Sequence, residues 1–377
     1  MIQITKIQLF MLVMLFEVGS TTLFALGIGA KQDAWLVVLL AFLISTGLIW
    51  AYTQFPRICP EQDFSEILNE AVGRKLAIPL LFIYGAYFFD SASYNFFEFG
   101  SLIKMSALPM TPILVILYFF MLVSIYILSL GFEVLARTGE ILLPVFIIFM
   151  ITIFVFTMFS GQFDINEILP ILGNGIKPLL GKTLFDVVFF PFGELVVFIM
   201  FWHFVNKQEG IRKITFIAVA LSTFLIIFSL IIMLSILGPD LTANTEIPLL
   251  QTILSINIAN FFTNLDLLAV LIMFIGGFYK MSLHFYGVVL AIIWIFKIKN
   301  IRWVILAIGL MFPIWNNLRF ENMAYHRWLG FEVHPYVMAM VNLMTILLLI
   351  VIFLKKKVMI LKKRRKSDAN STSNQES

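Results

Sequence analysis

Residues 183–205 read TLFDVVFFPFGELVVFIMFWHFV, an apolar run with a proline near its middle. About 20 apolar residues suffice to cross the hydrocarbon core of a bilayer as a helix. Within this run, Phe190-Pro191-Phe192-Gly193-Glu194 sets a residue without an N–H, a glycine and a carboxylate at mid-depth. Proline removes a backbone hydrogen bond and its ring opposes the preceding turn, so the spacing predicts a span interrupted at Pro191. Non-helical backbone at that depth persists only where protein buries it or where it lines a cavity.

A second interruption is expected in the first apolar run, roughly 7–30, where Glu17-Val18-Gly19-Ser20-Thr21-Thr22 lies near the midpoint. Eight further runs lie at roughly 34–55, 76–103, 111–131, 140–159, 214–237, 264–296, 301–318 and 336–354. Run 264–296 exceeds one crossing, so it is expected to project from the bilayer or to contain a connecting turn. The composition agrees with this pattern, since 61% of residues are hydrophobic and 13% charged, against about 25% charged in a soluble domain. The expected fold is an all-α integral membrane protein of about ten transmembrane helices. A single domain covers 1–355, and 356–377 form a polybasic, disordered tail that rests on anionic headgroups. Lys6 precedes an apolar stretch too long for a cleavable signal, so the first run reads as an anchor.

The two interruptions fall in the first and sixth runs, five apart. An odd offset inverts the second half relative to the first, which predicts a five-plus-five inverted repeat over about 7–159 and 183–354, with helices 1 and 6 broken. The N-terminal end of a half-helix favours a carboxylate, and freed carbonyls favour an ammonium group or cation. A zwitterionic amino acid suits both. Of the 26 lysines and arginines, only Lys31, Lys104, Lys177, Lys182, Arg319 and Arg327 fall in loops opposite the termini, and Lys280 falls inside a span. The positive-inside rule therefore places both termini in the cytoplasm.

Ionisable groups within spans are costly and mark function by default. They are Glu17, Asp90, Glu98, Glu194 and Lys280. Glu194 follows the sixth-span break and is placed to accept a substrate ammonium or carry a coupling proton. Lys280, after Gly276-Gly277-Phe278-Tyr279, is placed to neutralise Glu17 or Glu194, and a fixed ammonium there removes the need for sodium. Asp90 and Glu98 share a face with Tyr94 and read as one side of a water-filled path. His203, His284, His326 and His334 have no metal-ligand spacing and read as structural or surface groups. Cys59 stands alone, which excludes an intramolecular disulfide and a thiolate metal site. No nucleophile motif, phosphate loop or dinucleotide fingerprint is present, so neither an enzyme nor a cofactor is expected.

Four motifs resemble the endospore germination permeases, the B subunits of nutrient germinant receptors. They are Lys31-Gln32-Asp33-Ala34-Trp35; Phe132-Glu133-Val134-Leu135-Ala136-Arg137-Thr138-Gly139-Glu140-Ile141-Leu142-Leu143-Pro144; Ile168-Leu169-Pro170-Ile171-Leu172-Gly173-Asn174-Gly175-Ile176-Lys177-Pro178; and Pro191-Phe192-Gly193-Glu194. That family is similar to the amino acid, polyamine and organocation transporters, whose LeuT-like fold is a five-plus-five inverted repeat. The resemblance implies a spore inner-membrane receptor that binds a nutrient germinant beside a membrane A subunit and a C-subunit lipoprotein, with no nucleic acid partner. It implies germinant contacts at Gly19, Ser20, Thr21, Tyr94, Phe192, Gly193, Glu194, Lys280 and Ser282. The first break lacks the second glycine that many transporter relatives show. A proton- or cation-coupled amino acid transporter is the alternative, and a water or ion conduit along Asp90, Tyr94 and Glu98 a weaker one.

Overall fold

The computed structural model describes residues 3–255 and 266–373, and among these every named element is a helix. The α-helices are α1 (Lys6–Thr21), α2 (Ala34–Tyr52), α3 (Phe55–Ile58), α4 (Phe64–Val72), α5 (Arg74–Ser106), α6 (Ile113–Leu130) and α7 (Phe132–Met158). They continue as α8 (Lys182–Phe189), α9 (Ile211–Asn244), α10 (Pro248–Leu254), α11 (Asp266–Phe296), α12 (Ile301–Arg319), α13 (Met323–Glu332) and α14 (His334–Ser373). Nine helical stretches among the described residues are long and apolar enough to cross a membrane. The first span is the remaining crossing, and it is broken as expected.

Its first half starts on a capping box, in which Thr5 and Gln8 each bond the other's backbone N–H, a device that satisfies otherwise orphaned donors. It stops at Thr21. The hydroxyls of Thr21 and Thr22 fold back onto the carbonyls of Glu17 and Val18, and Ser229 donates to the Thr22 carbonyl at 3.0 Å. The chain then turns through residues 22–27, with Gly27 at φ 72°, and resumes as a 3₁₀ helix over Ile28–Asp33. The sixth span breaks where Pro191 predicts. α8 ends at Phe189, Phe190 is extended, and a 3₁₀ helix covers Phe192–Met200. Carbonyls freed around this break find partners, because Gly193 accepts from Asn342 Nδ2 at 3.2 Å and from Tyr52 at 3.4 Å, and Val188 faces Ser45 Oγ at 3.4 Å.

The run 264–296 resolves into one helix from Asp266, about 46 Å long at 1.5 Å per residue, with no connecting turn inside it. Residues 264 and 265 lie outside the described ones. At the other end, α14 continues to Ser373 where an unstructured tail was expected; its lysines and arginines are good helix formers. Residues 374–377, and the tail side chains beyond Val358, lie outside the described ones.

Both termini share one end of the bundle. Ile4 pairs with Phe204 and Asn206 (2.7 and 2.9 Å), the Glu61 N–H meets Gln208 at 3.3 Å, and Lys356 donates to the Ile58 carbonyl. Outward faces carry exposed apolar side chains such as Phe82, Phe119 and Trp303, which in water would be a liability and in lipid is the matching surface.

α1 lies among α7, α9 and α11. It meets α11 where Gly19 and Gly276 bring the two backbones together. A Cβ on Gly19 would sit 2.6 Å from the Gly276 carbonyl oxygen. Small residues permit such crossings, and without a hydrophobic drive between helices packing of this kind is what associates them in lipid. Gly276→Val is expected to cost more than the ~1–3 kcal/mol of ordinary overpacking, because the atoms it meets are backbone. Melting in detergent checks this against Gly47→Val, whose site has no atom within 4 Å of an added Cβ. Equal midpoints for the two variants would refute the backbone contact.

Candidate ligand cavity

The two interruptions border one hollow. A cavity of about 350 Å³ lies between the link that follows α1, from Phe24 to Gly29, and α8, with Phe190 and Glu194 deeper in. Tyr94, Asn95 and Glu98 of α5 form one wall, and His326, Arg327 and Gly330 of α13 with His334 and Met338 of α14 form another. Lys182 stands at the rim, exposed and paired with Asp186 (3.0 Å) and Glu332 (3.7 Å). All of these belong to the end of the bundle opposite the termini. Below, Phe198, Phe201 and Trp202 are buried, with Phe198 stacked on Trp202 and edge-on to Phe201, and the Ile4–Val205 pairing seals the terminal end.

At the inner limit of the cavity, Glu194 Oε2 sits 2.5 Å from Lys280 Nζ, and both side chains are buried (1% and 0% exposed). The same ammonium donates to Ser20 Oγ at 3.1 Å and lies 4.2 Å from the Phe190 ring centroid. One cation on α11 therefore holds the last turn of α1 and both sides of the sixth-span break. A cation over an aromatic face in a dry site gains up to ~2 kcal/mol. Glu17, one turn before Ser20, is fully buried, and neither carboxylate oxygen has a hydrogen-bond partner among the described residues.

The α5 wall is itself braced. Asp90 bonds Arg319 and His334 Nδ1 (3.0 Å), Arg319 lies 5.1 Å from the Tyr94 ring, and His326 Nε2 is 3.1 Å from the Tyr94 carbonyl. His326 lies outside the spans, and burial pulls its imidazole down to about 4, so it is neutral at pH 7.

The sequence-derived residues divide into groups. Tyr94, Glu98 and Glu194 line the cavity; Ser20 and Lys280 meet behind Glu194. Gly19 packs on Gly276, the Thr21 hydroxyl bonds the Glu17 carbonyl, and Phe192 packs on the Phe42 ring at 6.1 Å. Gly193 offers its carbonyl to Tyr52 and Asn342, and Ser282 is buried with a hydroxyl that has no partner among the described residues. Asp90 supports the wall from behind rather than lining the hollow. His326 and His334 are structural groups, as expected, buried and hydrogen-bonded to the Tyr94 carbonyl and Asp90, and they also line the cavity, where Asn95 and Arg327 join them. Asn95 was legible as the neighbour of Tyr94, whereas α13 carries no pattern that marks a binding wall. No group of three or more metal-ligating side chains occurs among the described residues.

Residues 3–323 match the family model described as spore germination protein. This chain belongs to the spore germination protein family. It is 33% identical over 328 residues to spore germination protein KB of Bacillus subtilis (strain 168), covering 87% of this chain and 88% of that one. It is also 22% identical to spore germination protein XB of Bacillus anthracis, over 67% and 69% of the two chains. As a fold, this family member resembles MhsT, solved with L-phenylalanine, at a TM-score of 0.66 and 12% identity over 92% of this chain and 98% of MhsT. It likewise resembles Mhp1, a nucleobase-cation-symport-1 transporter with bromovinylhydantoin bound, at a TM-score of 0.67 and 10% identity, over 91% and 77%. The fold is thus that of the LeuT-like transporters.

Removing one partner of a buried pair strands the other charge, at about 3–5 kcal/mol. In this spore germination protein, Lys280→Ala is expected to lose that much stability in detergent melts. Lys280→Met with Glu194→Leu is expected to recover most of it, and a wild-type melt for Lys280→Ala would show that the pair balances nothing.

Proposed function

We propose that this chain is the membrane subunit of a nutrient germinant receptor, binding a single amino acid in the cavity between its broken spans. The observation that supports this is the hollow itself: it is bounded by both interruptions and ends on the Glu194–Lys280 pair. Its volume, about 350 Å³, lies at the small end for ligand sites, which favours one amino acid over a peptide. Glu98 offers a carboxylate for the ligand ammonium. Arg327, which spends one N–H on the Glu246 carbonyl at 2.8 Å, has further donors for the ligand carboxylate. Phe24, Phe190 and Met338 provide the apolar side.

In this reading the termini face the spore core and the cavity opens away from it. The inverted repeats run over about 7–159 and 183–354. A bound germinant shifts the population of break conformations by its differential affinity for them, and the A subunit and C lipoprotein receive that shift.

A transporter coupled to protons or a cation is the second reading, favoured by the transporter folds of MhsT and Mhp1 and by the unpartnered carboxylate of Glu17. Transport would require opening the seal around Phe198, Phe201 and Trp202. Uptake of labelled amino acid into proteoliposomes holding this chain alone would establish it, whereas saturable binding without flux favours the receptor.

A thermal-shift screen against amino acids, nucleosides and sugars identifies the ligand class, because a ligand stabilises the state it binds. Once an amino acid is found, Glu98→Gln is expected to weaken it roughly 10- to 100-fold, the range of a charge-assisted hydrogen bond. Gly330→Leu, whose Cβ would stand 3.7 Å from the Tyr94 ring, in van der Waals contact without a clash, is expected to abolish binding and germination while the protein still accumulates. Unchanged affinity in both variants would place the ligand elsewhere.

A further inference from the structure

At the end of the bundle that carries the termini, a second cleft opens between the α2–α3 corner and the start of α9. It is lined by Thr53, Pro56, Arg57, Gln208, Arg212, Lys213 and Phe216, among others, and has a volume of about 740 Å³. Among the described residues lining it, Glu209 is the sole carboxylate, and it is exposed. Three cations therefore face a hollow with one counter-charge.

Arg212 is held in place. Its Nε donates to Thr53 Oγ1 at 3.1 Å, and its guanidinium lies 5.6 Å from the Trp50 ring centroid. One terminal nitrogen of that guanidinium is shielded from solvent and has no hydrogen-bond partner among the described residues. Arg57 is close enough to repel it, and its side chain makes no hydrogen bond or ion pair within the described residues. Two guanidiniums facing one cleft with a single exposed carboxylate leave it net positive, which favours an anion there.

The backbone adds to the same demand. α9 begins here, with Gly210 as an N-cap that offers no side chain; the Ile211 N–H turns back to the Gln208 carbonyl at 3.3 Å, and the positive end of the helix faces the cleft, whose lining includes Gly210, Ile211, Arg212 and Lys213. Lys6 brings a further ammonium close, 3.2 Å from where a Cβ of Gly210 would stand.

The surroundings select the kind of anion. α2 and α9 pack together. Their exposed apolar side chains, among them Leu43 and Trp50 of α2 and Ile217 and Leu221 of α9, continue from the cleft into the membrane-facing surface. A free phosphate would use only the cations. A phospholipid would use both the cations and the apolar flank, and basic pockets between spans are a recurring form of headgroup site.

We propose that this cleft is a binding site for one anionic phospholipid, with its phosphate on Arg57, Arg212 and the α9 N-terminus and its acyl chains along α2 and α9. This site lies at the opposite end from the ligand cavity, so it stands or falls apart from the receptor reading.

Titration of the purified full chain in zwitterionic detergent with phosphatidylglycerol, read by native mass spectrometry, tests it. Wild type is expected to hold one phosphatidylglycerol at least ten-fold more tightly than phosphatidylcholine of equal chain length. Arg57→Gln/Arg212→Gln should erase that preference, while Lys297→Gln/Lys299→Gln keeps it. Arg57→Gln alone, at an exposed side chain with no partner, should lower it several-fold without altering the melt in phosphatidylcholine, so a folding defect cannot imitate the result. Equal phosphatidylglycerol affinity in wild type and both arginine variants would overturn the proposal. So would inorganic phosphate at millimolar concentration removing the preference outright, since the cleft would then be an anion site indifferent to lipid.

Discussion

One buried ammonium organises the centre of this molecule. An isolated charge in a dry interior is prohibitively expensive, and Lys280 is fully buried inside α11. It is tolerated because Glu194 stands 2.5 Å away, Ser20 Oγ 3.1 Å away, and the Phe190 ring faces it. Each partner belongs to a break. Ser20 is in the last turn of α1 and Phe190 and Glu194 flank Pro191, so the charge that needs compensation can be satisfied only when both interrupted spans are brought against α11. The pair is weak as a source of stability, since apolar residues of similar volume often do as well, but it is strong as a constraint on geometry.

That constraint depends on the glycines beside it. For Lys280 to reach Ser20, the backbones of α1 and α11 must approach to near contact, and Gly19 opposite Gly276 allows this. The next residue, Gly277, lies under the Phe99 ring of α5, so the same stretch of α11 admits α5 on its other side. A close crossing on one flank and a close aromatic on the other fix α11 laterally, and the wall bearing Tyr94, Asn95 and Glu98 is held at a set distance from the breaks.

Much of this was legible in the residues, and what was missed has a common cause. Pro191 reveals its break locally, because a missing N–H and a ring clash act wherever proline sits in a helix. Gly19 was ambiguous: the same residue serves an unwound turn or a tight crossing, and it serves the crossing, while the turn begins after the hydroxyls of Thr21 and Thr22 cap the last carbonyls. Lys280 and Glu194 could be nominated as partners because buried charges of opposite sign seek each other. Arg327, His326 and His334 could not be nominated, since what makes them wall residues is the position of α13 and the first turn of α14 over the cavity, and a short interfacial helix carries no periodicity that reports what it covers. The eighth run shows the converse: a helix of about 46 Å needs no hidden turn, because a helix longer than the hydrocarbon core can tilt or project from it.

The chain's asymmetry follows from where its polar groups are spent. At the end away from the termini, Asp90 bonds Arg319 and His334, Arg319 lies over the Tyr94 ring, and a hollow is left in front of them. At the terminal end, Ile4 pairs with Phe204 and Asn206, and aromatic rings of Phe132, Phe198, Phe201 and Trp202 close the space beneath Glu194. A solute entering from the open side therefore reaches a charged inner limit and then an apolar seal. Crossing that seal means separating stacked rings and a backbone pairing, whereas altering the charge balance at Glu194 needs only contact with the pair that holds both breaks. In this arrangement passage through the bilayer requires the apolar seal to open, whereas contact at the cavity's inner limit does not.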